Sequence, residues 1–451
     1  MKLRLMLWIA FIGLLACGSN DGSSSPNRPT TAASGGVVAT DTGGATGASP
    51  SNSPRPTMGN DGSKFTWPAL ASGPIEAAIT LTLTENKETH IIAVDEQGSA
   101  GVRLTATSAG WSYHALSPDG RYLAAVQHAA NRTDGRPDVS SPGAIWIVDL
   151  NEKAKNADGT LLTDDLGRSQ PLSYPLTPEG CDAGIGGLGW ASSTTIAFAM
   201  SCDGTPSIAY LASVSERGRT SDNFLIISSH DGSAVRDVNP AVGSPFFAYV
   251  VESQVCAGDD CVTKPAIWIG DMETPSIRCG ITDGDRQYVG LDRHTGEHMR
   301  VGDHTPSLGP RLDSVTFVRN VGEKTAGIDG HLDLMHVDVH RQTLFSGGDR
   351  CDVPGTLRNL SEAYGDEYSI PAVDSTKTNV TERFAQRAVG TRATENTILY
   401  VVRGGTGANE ISQVYLMELG NGVKTALTDE RTYAVYARWV VDEYDLSGGT
   451  R

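Results

Sequence analysis

From about Phe65 onward the chain repeats one pattern, and that repetition limits the fold more than any other feature. An apolar strand is followed by a polar loop, a second strand ending near an acidic residue, a short turn and a third strand. The first strands read Leu123 to Val126, Ile196 to Met200, Phe247 to Val251, Val315 to Val318 and Ile398 to Val402. The second strands include His90 to Asp95, Ile145 to Leu150, Ile267 to Asp271 and Val414 to Leu419. Turns and third strands follow at Gly98 to Thr105, His230 to Val238 and Gly420 to Thr428, each with glycine where a tight hairpin needs positive φ. No comparable helical period is present. Glycine, at 51 of 451 residues, exceeds the usual ~7% and suits many short strands joined by tight turns. The first strands are spaced by 73, 51, 68 and 83 residues. A minimal four-stranded repeat needs only about 40 to 50, so several repeats must carry inserted loops.

The segment Ala115-Leu-Ser-Pro-Asp-Gly-Arg-Tyr-Leu-Ala-Ala-Val126 resembles the blade signature of TolB-type (WD40-like) β-propellers, in which Ser-Pro-Asp-Gly turns the chain between the innermost strand and the next. Pro118 fixes φ, Asp119 caps the backbone and Gly120 takes up a conformation costly to other residues. Gly189 to Phe198 keeps the aromatic residue and the strand without Pro-Asp-Gly, and Tyr436 to Val441 keeps only the inner strand. The resemblance implies an all-β propeller over 66–451, with six blades of four antiparallel strands. The first has outer strands at 75–107, and the others run through 111–178, 185–238, 244–282, 309–346 and 380–430. The strand at 433–441 returns to complete the first blade and removes an exposed sheet edge. The family protein carries a small α/β domain before its propeller. Here a different segment occupies that place, so the family's own partner is not carried over.

That segment is an export signal. Lys2 and Arg4 precede an apolar run from Leu5 to Leu15. Eleven residues rise about 16 Å as a helix, too short to span a bilayer, so 1–16 reads as a signal peptide. Leu14-Leu15-Ala16-Cys17 resembles the bacterial lipoprotein box, which implies that Cys17 is lipidated and anchors the mature chain to a membrane. Gly18 after it favours the outer membrane. Of the 46 residues 18–63, 38 are Gly, Ser, Thr, Ala, Pro or Asn, so 17–65 cannot bury a core. It reads as a disordered tether with a reach of about 35 to 40 Å.

Six cysteines remain in an exported chain, and oxidation is the expected state. Cys256 and Cys261 flank a short Ala-Gly-Asp-Asp loop and are expected to pair locally. Cys181 and Cys202 bracket one strand, which leaves Cys279 with Cys351. No C-x-x-C spacing suggests redox or zinc chemistry.

His294, His298 and His304 form one candidate metal set. His331, His336 and His340 form another, with Asp338 on the face shared by His336 and His340. Solvated surface histidines are the favoured reading of both. Asp259-Asp260 and Asp283-Gly-Asp285 lack the ligand count of a calcium loop. There is no nucleophile elbow, H-E-x-x-H or phosphate-binding loop. A propeller enzyme, hydrolase or lyase, would gather acids and histidines at its centre, and His114 and Glu252 are the inner-strand candidates for that alternative.

The expectation is therefore a monomeric envelope protein, periplasmic or surface-facing, that binds or scaffolds a protein partner and needs no cofactor. The charge of −17, with 31 Lys+Arg against 50 Asp+Glu from residue 67 onward, excludes nucleic acid and favours a basic surface. Insertions at 128–143, 215–223, 252–265 and 347–395 enlarge the loop faces where such binding would sit.

Overall fold

The computed structural model describes residues 66–440, apart from 96–97, 99–100, 140, 164–166, 168, 215–223, 231, 258–259, 283–302, 310, 322–330, 361–382, 387–396, 405–410, 419–422 and 429–431. The signal segment, Cys17, the tether, Asp259, Asp283, Asp285, His294 and His298 lie outside the described residues. So do the side chains of Cys256, Asp260, Cys261 and His331.

Among the described residues the strands form six four-stranded antiparallel sheets. In chain order the first complete one is β4 (Gly110–Leu116), β5 (Tyr122–His128), β6 (Gly143–Lys153) and β7 (Pro171–Pro175). Next come β8 (Cys181–Trp190), β9 (Thr195–Cys202), β10 (Ile208–Ser213) and β11 (Leu225–Ser228), then β12 (Ala234–Pro240), β13 (Phe246–Ala257), β14 (Asp260–Asp271) and β15 (Arg278–Gly280). The following two sheets are β16 (Asp303–Leu308), β17 (Ser314–Val321), β18 (His331–Asp338) and β19 (Arg358–Asn359), and β20 (Arg383–Gln386), β21 (Thr397–Gly404), β22 (Ile411–Glu418) and β23 (Lys424–Ala426). The last sheet joins the two ends of the domain. Its order is β24 (Tyr433–Trp439), β1 (Ile79–Glu85), β2 (Glu88–Val94) and β3 (Val102–Arg103).

The first strands of these sheets touch in the order β4, β8, β12, β16, β20, β24 and back to β4. The ring is closed, and the arrangement is a β-propeller. Closure by the C-terminal strand is as the sequence implies: Ile79 lies opposite Trp439 and Thr84 opposite Tyr433.

Because each sheet is covered on both faces by its neighbours, the central strands are apolar throughout rather than alternating. Ile79, Leu81 and Leu83 pack with Leu399, Val401 and Val414 of the preceding sheet. Small residues recur on the second strands, at Ala124 and Ala125, Ala197 and Ala199, and Ala248, where they let neighbouring sheets approach.

The Ser-Pro-Asp-Gly turn forms between β4 and β5 as expected. The Ser117 hydroxyl donates to Asp119 at 2.6 Å and accepts from the Tyr122 amide at 2.8 Å, while Gly120 sits at φ 68°. The recurrent acid at the end of the third strand has a structural duty too. Asp149 accepts the amides of Asn151 and Glu152, and Asp271 those of Glu273 and Thr274, so each caps the turn that follows.

Three expected boundaries need correction. Residues 230–238 do not finish the sheet expected at 185–238, because Ala234–Pro240 is the innermost strand of the next one. Arg236 and Asp237 give this segment a polar, peripheral pattern, yet they are buried by pairing near the centre of the ring. The segment expected to end a sheet at 346 is instead helix α1 (Arg341–Ser346), which turns Leu344 into the core, and the outer strand is supplied by Arg358–Asn359. The insertion at 252–265 is largely an extension of the β13–β14 hairpin, which pairs continuously from Phe246 opposite Asp271 to Ala257 opposite Asp260.

Candidate functional site

The centre of the ring is built from strands that bulge. The ladder slips between Trp111 and His114 in β4, Ala183 and Leu188 in β8, Arg236 and Asn239 in β12, and His304 and Ser307 in β16. A bulge re-aims side chains and leaves backbone groups to be paired in other ways. In β12 and β16 it also places two non-glycine residues in the left-handed region, Asp237 at φ 50° and Thr305 at φ 47°. For a β-branched residue such as threonine this is a strained conformation that its surroundings must hold. The Thr305 amide donates to Asp237 Oδ2 at 3.2 Å, so each bulge steadies the other.

One side chain crosses the ring. Arg438 on β24 donates through Nη1 to the Leu188 carbonyl on β8 at 2.6 Å and through Nη2 to Asn239 Oδ1 on β12 at 2.7 Å. In the ring order β12 stands opposite β24, so the guanidinium spans the middle rather than bridging neighbours. Asn239 passes the contact on by donating to the Pro306 carbonyl of β16 at 3.0 Å. Gly189 makes room: a Cβ there would lie 2.5 Å from Arg438 Nη2 and 2.6 Å from Pro240. Arg438→Met leaves two part-buried acceptors without this donor and is expected to cost about 2 kcal/mol in urea unfolding. Lysine cannot serve both acceptors from one planar fork, so Arg438→Lys should recover less than half of the loss.

At the starts of β12 and β16 the charged groups gather. Arg236 pairs with Glu252 across β12 and β13, and Arg319 holds Asp303 by two bonds of 2.7 and 2.9 Å. His304 lies in electrostatic range of Asp237, Arg236, Glu252 and Asp303. Burial pushes its imidazole below the ordinary value, a shift that Asp237 opposes and Arg236 reinforces, so the ring is neutral near pH 7.

His114 is fully buried between β4 and β1, with Nδ1 2.7 Å from the Thr82 hydroxyl. Glu252 is on the second strand of its sheet and is spent on Arg236. His336 and Asp338 do share a face, 3.5 Å apart, but His340 falls beyond the end of β18, exposed at the start of α1. Burial, then Arg358, lowers the His336 imidazole against the pull of Asp338. Among the described residues no group of three or more His, Cys, Asp or Glu is placed to hold a metal. Cys181–Cys202 and Cys279–Cys351 are disulfides. Cys256 and Cys261 face each other in the β13–β14 register.

Arg438, Asp237 and Thr305 were not singled out by sequence reasoning. The available signal is a charge inside a strand that is otherwise buried, as in Tyr-Ala-Val-Tyr-Ala-Arg-Trp for β24 and Ala-Val-Arg-Asp-Val for β12.

Among solved structures the chain is similar to TolB propellers. A structure assigned to TolB from Agrobacterium tumefaciens is 12% identical and aligns over 81% of this chain and 99% of its own, with a TM-score of 0.39. TolB from Acinetobacter baumannii is 10% identical over 81% of this chain and 67% of its own, with a TM-score of 0.42. A thermostable family-43 glycoside hydrolase is 9% identical over 72% and 96%, with a TM-score of 0.40. No family model matches the sequence, and no curated protein does.

Proposed function

We propose that this chain is a lipid-anchored, extracytoplasmic β-propeller that acts as a protein-binding or scaffolding module of a bacterial cell envelope. The observation that carries the binding half is Arg438. It occupies the middle of the ring with structural hydrogen bonds, where a propeller enzyme would keep space for substrate. The nearby acids Glu252 and Asp303 are likewise held by arginines. Recognition then falls to the loop faces. One described insertion is ordered by such packing: Arg136 lies over the Tyr433 ring at 3.8 Å, and the Gly135 carbonyl accepts from Thr89 at 2.9 Å. The excess of 50 acidic over 31 basic residues from 67 onward suits a basic partner surface.

The anchoring half rests on Leu14-Leu15-Ala16-Cys17 and on the Ser/Gly/Thr/Pro-rich tether. The outer membrane is the proposed address, from Gly18.

The experiment is in-cell crosslinking with capture of the full-length protein, run beside Cys17→Ala and with metabolic palmitate labelling. The expected result is a labelled, membrane-bound protein that captures one reproducible partner, with label, membrane binding and partner all reduced in Cys17→Ala. Absence of label overturns the anchor, and absence of a reproducible partner overturns the scaffold.

A further inference from the structure

The sheet that closes the ring is made from both ends of the domain. In the other five sheets, among the described residues, hydrogen-bonded neighbours follow one another in sequence, whereas β24 pairs with β1 from the opposite end. No short turn joins that pair, so nothing local restores it once it opens. Tyr433 stands directly opposite Thr84, and Thr84 opposite Thr89, so the three form one row across β24, β1 and β2.

Two consecutive residues of the 128–143 insertion, which belongs to the neighbouring sheet, touch the two ends of that row. The Arg136 guanidinium lies over the Tyr433 ring at 3.8 Å, and the Gly135 carbonyl accepts the Thr89 hydroxyl at 2.9 Å. Thr89 has thereby given up its one hydroxyl proton and must accept from Thr84 at 2.9 Å, which ties in the middle of the row. Both threonines are buried. The fit is set by backbone. A Cβ on Gly135 would lie 2.3 Å from Lys87 Cα and 2.4 Å from its carbonyl oxygen, so the insertion rests on the β1–β2 turn with no side chain between.

The tip that makes these contacts is held by its own bonds. The Arg132 amide donates to the Arg136 carbonyl at 2.8 Å and the Gly135 amide to the Arg132 carbonyl at 2.9 Å. Asp134 accepts both the Arg136 amide and its guanidinium, each at 3.1 Å. A second loop, 156–160 between β6 and β7, is built the same way. There the Asn156 amide donates to the Thr160 carbonyl at 2.8 Å, the Gly159 amide to Asn156 at 2.9 Å, and the Thr160 amide to Asp158 Oδ1 at 3.0 Å. Gly159 has nothing within 4 Å of its Cβ position. Contact with the closing sheet is therefore not a by-product of this loop type.

We propose that the 128–143 insertion is a clasp that holds the closing seam of the propeller shut. Arg136 secures the C-terminal strand and Gly135 the N-terminal hairpin. Opening of the seam exposes two apolar strand edges and frees the strand that carries Arg438, so the strut across the ring depends on the same lock. The inference is independent of the scaffold reading, and it assigns to ring closure an insertion that otherwise counts among the binding loops.

The test is hydrogen–deuterium exchange of the full-length mature protein without denaturant, read by mass spectrometry on peptides from 79–94 and 433–439. Local opening rather than global unfolding carries exchange under those conditions. Arg136→Ala is expected to speed exchange of these peptides about three- to tenfold. Gly135→Ala lifts the tip off the Lys87 backbone and should speed it about tenfold or more. Gly159→Ala is the matched control and should leave these peptides within about twofold of the parent protein. Combining Arg136→Ala with Tyr433→Leu should give less than the product of the two single effects, since each removes the same contact. Arg136→Ala leaves the backbone unchanged and carries the test if Gly135→Ala does not fold. Unchanged exchange of the seam in the clasp variants, equal acceleration by Gly159→Ala, or single effects that multiply independently overturns the clasp.

Discussion

Gly120→Ala is expected to remove about 4 kcal/mol or more of stability, enough to leave a typical domain largely unfolded at 37 °C. Two independent constraints meet at this residue. Its φ of 68° is a region that side chains enter at a cost of roughly 1 kcal/mol or more. The larger constraint is space: a Cβ would lie 1.9 Å from the Ile75 carbonyl oxygen and 2.7 Å from its carbon. The contact is with backbone, so no side-chain rotation relieves it. Ile75 is moreover bonded to this turn, its amide donating to the Gly120 carbonyl at 3.0 Å, so the clash pushes apart a pair the fold holds together. The control is Gly159, at φ 84° but with nothing within 4 Å of the place a methyl group would take. Gly159→Ala carries the backbone cost alone and should lose about 1 kcal/mol. Urea unfolding of both variants separates the two causes, and equal losses would show that close approach to Ile75 is not what requires glycine.

This turn was legible in the sequence because its determinants are local. Ser117, Asp119 and Gly120 satisfy one another within four residues, and the spacing alone shows it. The all-β class and the closing strand were legible for a related reason, since strand-length apolar runs and tight turns recur along the chain. The boundaries went wrong at 230–238, where burial depends on partners far away in sequence. Arg236 and Asp237 read as surface residues, but Glu252 and the Thr305 amide make them interior ones. Arg438 is the extreme case. Its partners are 250 and 199 residues distant, so the charge inside an otherwise apolar strand is the one local sign of it, and that sign does not tell which strands it reaches. The surroundings of His114 were hidden on the same ground. Its place just before the blade signature is local information, but its burial is decided by Thr82 and Tyr436 on the strands that close the ring.

That closure contains an acid-sensitive seam. One face of β1 is Thr80, Thr82 and Thr84, all buried, where other strands carry aliphatic residues. Opposite and beside them lie Ser112, His114 and His128, while His90 bonds through Nδ1 to the Thr105 hydroxyl at 3.1 Å. Thr82 has one hydroxyl proton and gives it to the Ser112 carbonyl at 2.8 Å. It must therefore accept from His114 Nδ1–H at 2.7 Å, which leaves Nε2 unprotonated and without a partner. Burial, with Arg438 adding to it and the Thr80 and Ser112 carbonyls opposing, pushes His114 down to about 3. Burial and then Arg103 push His90 down to about 4. In the unfolded chain both titrate near 6.5. Between those values the unfolded state binds protons that the folded state refuses, so stability is complete above about pH 6.5 and declines as pH falls towards 4 and 3. Each histidine contributes a slope of about 1.4 kcal/mol per pH unit, and the two together remove on the order of 5 kcal/mol by pH 4.5. The expected result is a melting temperature that is flat from pH 8 to 7 and falls steeply from pH 6 to 4.5. Carboxylates titrate at the lower end of that range, so variants are needed to assign the upper part. His90→Asn and His114→Asn each keep a donor where Nδ1 stands but cannot take up a proton. The double variant should lose most of the slope between pH 6.5 and 5, and an unchanged slope would place the acid response outside this seam.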